Sequence, residues 1–224
     1  MPDVQPPYLY PPYKSTLLRA PGKPLVRVPP SPLDTSAPAF PKRFVKASEA
    51  DLTVWGKSAP LGEKMILVGR MLDDMGRPVR GALVELWQCN AAGRYAHPVD
   101  QHAAPLDPNF LGRGQALTDD AGAFRFVTIK PGAYPWRNQP FGWRPAHIHF
   151  SLFGNTYAQR LITQMFFPGD PLLPIDPIYN SVPDPQARTR MLAHLELESG
   201  IEEVALGYRF EIVLGGRHAT PMGH

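Results

Sequence analysis

The sequence predicts an all-β fold: a β-sandwich preceded by an extended, proline-rich arm and carrying one short helix late in the chain. Three observations carry that expectation. From Met65 onward, six or so apolar segments of strand length follow one another, separated by turn residues. Proline (28 residues) and glycine (19) are abundant, as a chain of many turns and extended connections requires. With 224 residues, 43% of them hydrophobic and 19% charged, the chain is long enough to bury one large core.

Two segments are expected, an arm over residues 1–45 and a sandwich domain over 46–224. The arm holds twelve prolines, in runs such as Pro6-Pro7-Tyr8-Leu9-Tyr10-Pro11-Pro12-Tyr13, and cannot supply a central strand or a helix. Its interleaved Tyr8, Tyr10, Tyr13, Leu17, Leu18, Leu25 and Val26 suit a segment packed on the core or on a partner. Strands are expected at 65–72, 82–88, 124–127, 147–153, 161–167 and 206–214. Hairpin turns are expected at Asp73-Asp74-Met75-Gly76 and around Thr118-Asp119-Asp120-Ala121-Gly122. The late helix has Asp184 as N-cap and Pro185 in its first position, with Met191, Leu192 and Leu195 spaced to share one face.

Composition narrows the function classes. No stretch approaches the roughly 18 consecutive apolar residues of a membrane span. The 23 lysines and arginines against 20 acids give a net charge of +3, scattered along the chain, so nucleic-acid binding is not expected. The start Met1-Pro2-Asp3-Val4 has no basic and apolar leader, and a single cysteine excludes an intrachain disulfide framework; both agree with the cytoplasm. Cys89 reads as a small packing residue.

The chemistry concentrates between Tyr134 and Phe150. His147 and His149 sit at i and i+2 where an apolar strand begins, so both point to one face with Cα atoms roughly 6.5 Å apart, and both imidazoles can converge on one metal. Two histidines on a half-polar strand face are also an ordinary structural arrangement. No acid lies near the pair to complete a facial triad. The neighbourhood instead offers Tyr134, whose phenolate would be a hard anionic ligand suited to ferric iron.

The segments Gly93-Arg94-Tyr95, Pro105 to Phe110, Ile129-Lys130-Pro131-Gly132, Tyr134-Pro135-Trp136-Arg137-Asn138 and Trp143 to Phe150 resemble the intradiol ring-cleaving dioxygenases. Within that family the chain is most similar to the iron-bearing β type that cleaves protocatechuate, and the likeness runs from Tyr13-Lys14-Ser15-Thr16 to the strand ending at Leu214. The resemblance implies a transthyretin-like sandwich and non-haem Fe(III) bound by Tyr95, Tyr134, His147 and His149. Tyr95, which taken alone reads as a loop aromatic, is promoted by the resemblance only.

Further roles follow from the same likeness. Tyr134 is implied as the ligand released on substrate binding, acting as a base. Arg144 is implied to support developing charge on the substrate, and Gln164 to be a polar neighbour of the active site. Tyr13, Trp136 and Ile178 are implied to line the aromatic pocket. The implied reaction takes protocatechuate (3,4-dihydroxybenzoate) and O₂ to 3-carboxy-cis,cis-muconate, in the β-ketoadipate pathway of aromatic catabolism. The implied partner is a homologous iron-free α subunit, in αβ units that assemble further. No second cation is evident near the site for the ring carboxylate, which favours a contribution from that partner. Catechol or hydroxyquinol 1,2-dioxygenase activity is the alternative within the family. A non-catalytic partner subunit on the same sandwich is the alternative outside it.

Overall fold

The computed structural model describes residues 4–29, 31, 32, 34, 36, 45–140, 142–154, 156 and 159–223; the rest of the expected arm, including 37–44 beside its boundary, lies outside the described residues. Two four-stranded sheets face each other. One has the order β4-β1-β10-β9 and the other β3-β2-β7-β8, from strands β1 (Lys64–Leu72), β2 (Leu83–Trp87), β3 (Arg113–Leu117), β4 (Ala123–Ile129), β7 (His147–Phe153), β8 (Arg160–Phe166), β9 (His194–Leu195) and β10 (Leu206–Val213). A separate two-stranded ribbon joins β5 (Tyr134–Pro135) to β6 (Trp143–Arg144). Strands β1 and β10 pair in parallel, from Met65 opposite Leu206 to Leu72 opposite Val213, while β1 and β4 are antiparallel.

Alternation builds the core. Along β7, Ile148, Phe150 and Leu152 are fully buried in the main cluster, while His147, His149 and Ser151 occupy the other face. Phe150 meets Phe124 of β4 and Phe210 of β10 at ring separations of 6.1 and 5.4 Å, so aromatic contacts tie the two sheets together. Gly69 of β1 makes room for this packing, since a Cβ there would stand 2.3 Å from the Phe124 ring.

The strand expectations hold to within a few residues, but two local ones are corrected. The turn at Thr118–Gly122 closes tightly, with Asp119 N–H donating to the Ala123 carbonyl, yet it carries the chain from β3 in one sheet to β4 in the other instead of joining paired strands. The turn at 73–76 likewise closes only a single bridge, Leu72 to Pro78, because β1 takes β4 and β10 as its partners.

The late helix starts as expected, with the Asp184 carboxylate accepting from Gln186 N–H, but it ends at Thr189. Met191 and Leu192 are not on it, and Leu195 is an exposed residue of β9. The backbone leaves the helix to bond with β8: Phe166 N–H donates to the Met191 carbonyl and Ala193 N–H to the Phe166 carbonyl. Sheet pairing takes precedence over one more helical turn.

The expectation that the arm supplies no helix is corrected: one helical turn forms at α1 (Thr16–Arg19), in a stretch free of proline. Val4 enters a cluster with Phe166, Leu173, Val182 and Met191, and Lys14 N–H donates to the Asn138 carbonyl. Tyr13 is buried, whereas Leu17, Leu18, Leu25, Val26 and Val28 are exposed. Cys89 is buried with its thiol against the Gly132 carbonyl, and burial pushes its pKa up to about 12, which agrees with a packing role.

Candidate metal centre

The candidate centre lies on the face of β7 turned away from the core, under the β5–β6 ribbon. Tyr95 is brought there by the buried Asn90. The side-chain oxygen of Asn90 accepts from Ala92 and Arg94 N–H, its amide donates to the Pro105 carbonyl, and its own carbonyl accepts from Gly93 and Gly132 N–H. Gly93 completes the turn at φ +80°, where a Cβ would stand 2.2 Å from the Ala133 carbonyl oxygen. The turn is thereby pressed against the segment leading to Tyr134, and the two phenol rings meet edge to face at 5.4 Å. Tyr134 is set by the ribbon, in which it pairs with Arg144.

Four donor atoms form a chain of short contacts. Tyr134 Oη lies 3.3 Å from His147 Nε2, which is 3.2 Å from His149 Nε2, which is 3.2 Å from Tyr95 Oη. His147 Nδ1 is 2.8 Å from the Pro145 carbonyl, which can only accept, so Nδ1 carries the hydrogen and the lone pair of the neutral ring sits on Nε2, aimed into the cluster. Burial first, and the Arg144 charge second, push both imidazoles down, His147 well below its usual range and His149 to about 3. Burial pushes both phenols up, Tyr95 well above the ordinary phenol range with Tyr134 adding to it, while Arg144 works the opposite way on Tyr134.

Two neutral nitrogens and two phenol oxygens make up a donor set that fits a cation. Their 3.2–3.3 Å spacings are what neighbouring ligands take up around one ion with bonds of about 2.0–2.2 Å. An ion's charge would reverse the trend in the phenols and favour their ionisation. Among the described residues, no group of three or more His, Cys, Asp or Glu is placed to hold a metal, so a metal here depends on the tyrosines.

Arg144 is almost fully buried beside the cluster. Its Nη1 lies 3.0 Å from His147 Nε2 and 3.5 Å from Tyr134 Oη, and its guanidinium stacks on Trp136 at 4.9 Å. Burial works against its charge, but Asp176, and Tyr134 after it, outweigh burial and hold the guanidinium pKa above its usual value. Gln164 faces Arg144 rather than the four donors, its Oε1 accepting from Nη2 at 2.6 Å. Trp136 in turn packs on Tyr13 at 5.1 Å.

A cavity of about 850 Å³ opens onto the centre, with Tyr95, Tyr134, Trp136 and Trp87 in its wall. Tyr13 and Ile178 are not part of that wall. Tyr13 backs Trp136, and Ile178 is buried in α2 (Pro177–Ser181). Arg137, two residues past β5, does lie in the wall, so the expectation that no second cation is evident near the site is corrected. Two residues were missed. Asp176 holds Arg144, and its sequence signal was the Asp-Pro start of a helix. Trp87 stacks on His149, a contact visible only once β2 and β7 are paired.

A family model for dioxygenases matches residues 35–216, and one for the N-terminal region of protocatechuate 3,4-dioxygenase β subunits matches residues 2–31. The fold and the match together define a ring-cleaving oxygenase: the chain belongs to the intradiol dioxygenase family. It is 52% identical to the protocatechuate 3,4-dioxygenase β chain of Burkholderia cepacia, over 97% of this chain and 93% of that one. It is 32% identical to the protocatechuate 3,4-dioxygenase α chain of Pseudomonas putida, over 76% of this chain and 82% of that one. Among solved structures it is similar to the 3-chlorocatechol 1,2-dioxygenase of Rhodococcus opacus 1CP, with a TM-score of 0.58 and 25% identity, over 76% of this chain and 66% of that chain.

Proposed function

We propose that the chain is the iron-bearing β subunit of a protocatechuate 3,4-dioxygenase, with Tyr95, Tyr134, His147 and His149 holding non-haem Fe(III). The observation that carries this reading is the linkage of those two phenols and two neutral imidazoles by successive contacts of 3.2–3.3 Å, in a chain matched almost end to end by a β chain. The near-complete overlap with that relative supports protocatechuate over catechol or hydroxyquinol as substrate. The finer description of the sandwich as transthyretin-like belongs to the same reading.

When bound, the ferric ion would supply the Lewis acidity that draws the catechol in as its dianion and readies the ring for O₂. The chain's own groups do the rest. Tyr134, once ionised, takes a substrate hydroxyl proton at Oη. Arg144 presents Nη1 within 3.5 Å of that oxygen and meets negative charge as it develops on the ring. Trp136 covers the guanidinium and keeps water off it. Arg137, in the cavity wall, offers a cation toward the ring carboxylate. The product is 3-carboxy-cis,cis-muconate, an intermediate of cytoplasmic aromatic catabolism through the β-ketoadipate pathway.

The proposed partner is a homologous iron-free α subunit. The exposed apolar side chains at Leu17, Leu18, Leu25, Val26 and Val28 support a role for the N-terminal segment in meeting it. Among the described residues, no helix is long and apolar enough to cross a membrane. The test is an absorption spectrum and product analysis of the co-expressed complex. A broad visible tyrosinate-to-iron band and the carboxymuconate product are expected. A colourless protein with stoichiometric zinc would overturn the iron reading.

A further inference from the structure

Asp176 is fully buried and lies directly behind Arg144. Its Oδ2 accepts from Arg144 Nε at 2.8 Å and its Oδ1 from Nη2 at 3.3 Å. The same Oδ1 accepts from Ile178 N–H at 3.0 Å and Tyr179 N–H at 2.8 Å, capping α2.

A guanidinium has five N–H donors in a fixed planar fork. Here Nε is committed to Asp176, and Nη2 is committed to Gln164 and Asp176. Only Nη1 faces Tyr134 and His147. Trp136 on the guanidinium at 4.9 Å, with Phe166 at 6.0 Å, further restricts the plane. Charge points the same way. A buried guanidinium without a counter-ion is costly, and a metal cation beside it would add repulsion; the Asp176 carboxylate offsets both.

We infer that Asp176 is a positioning residue for ring cleavage: it orients Arg144 so that one nitrogen faces the four-donor cluster, and with the same carboxylate it seats the helix bearing Ile178. This rests on the dioxygenase reading above. The Asp176 carboxylate bonds Arg144 and the backbone of α2, and Asp176 is not in the cavity wall, so its effect must pass through Arg144.

The test uses the iron-loaded complex with its α-type partner and three variants. Asp176→Asn keeps a capping oxygen for α2 but turns an amide donor or a neutral acceptor toward the guanidinium. It should lower kcat about 10²-fold, the scale of one lost preorganised electrostatic group, with KM changed less than about threefold, and its crystal structure should show Nη1 displaced from His147. Arg144→Met should lose kcat to a similar extent. Asp176→Asn added to Arg144→Met should cost less than about threefold more, because the group it acts through is already gone. That double variant buries no unpaired guanidinium, so its comparison with Arg144→Met decides the question even if Asp176→Asn alone does not fold. A second full loss in the double variant, or wild-type kcat in Asp176→Asn, overturns the inference. Wild-type complex without iron or ring cleavage would instead overturn the dioxygenase reading, and this inference with it.

Discussion

Trp87 and His149 lie face to face across paired strands, their rings 4.9 Å apart and within 5° of parallel. The register of β2 and β7 places the two residues opposite each other, so the imidazole plane is set by sheet pairing and held by a flat aromatic neighbour. A histidine held this way loses little freedom on binding a metal.

Trp87→Ala should therefore leave the fold intact but weaken iron binding by about 10–100-fold, the usual cost of removing a residue that orients a ligand. Trp87→Phe should recover most of the loss. Competition with a graded chelator measures it, and unchanged iron retention in Trp87→Ala would assign the tryptophan to the cavity wall alone.

Within the proposed ligand set, His147→Ala and His149→Ala should lose most of the iron. Tyr134→Phe should retain iron but turn over far more slowly, because its phenolate is the proposed base for the substrate proton. Metal analysis beside turnover separates the two outcomes. Full activity in Tyr134→Phe would remove it from the mechanism.

Gly93→Ala tests how Tyr95 is delivered. The substitution must adopt φ +80° and bring a methyl within 2.2 Å of the Ala133 carbonyl oxygen. Strain of about 2 kcal/mol should lower the melting temperature by roughly 4–8 °C in a chain of this size. Iron content should fall as well, through displacement of Tyr95. A loss of stability with iron content unchanged would show that the turn does not govern the ligand.

The metal-free protein should lose stability on acidification. Both imidazoles have folded-state pKa values below the unfolded value, His149 at about 3. The unfolded chain therefore binds protons first as pH falls, so stability present above pH ~6.5 drains away between there and about 3. Urea midpoints at pH 7 and pH 5 should differ more in wild type than in His149→Ala, and equal differences would show that His149 contributes nothing to the acid sensitivity.

Expressed alone, the chain should aggregate or show little activity, because Leu17, Leu18, Leu25, Val26 and Val28 remain exposed. Co-expression with an α-type chain should give a stable complex holding about one iron per pair. Light scattering and metal analysis check this, and a monodisperse, fully active assembly of this chain alone would refute the heteromer.

Much of this was legible in the sequence where the signal is local. The bounds of β7 were read correctly, because Ile148, Phe150 and Leu152 alternate with His147, His149 and Ser151, and period two is visible in the letters alone. Asp184 as a cap was equally local. What escaped depends on pairing between distant segments. The helix after Asp184 stops because β8 claims its backbone, and Trp87 and Asp176 gain their meaning from partners far along the chain. Tyr95 was reachable only through family likeness, since its turn is organised by Asn90, whose role depends on bonds to Gly132 and Pro105.

The parallel pairing of β1 with β10 bears on how the protein is made. The strand in the middle of one sheet waits for a neighbour that leaves the ribosome only after every residue of the proposed iron centre has already emerged. Until Leu206 to Val213 arrive, Phe150 lacks the Phe210 ring behind it, and β7 cannot present His147 and His149 from a settled backing. Such long-range closure is slow and leaves apolar edges open meanwhile. Loading of the proposed metal is therefore expected only after β10 is made, and a nascent chain stalled before β10 should emerge colourless however much ferric iron surrounds it.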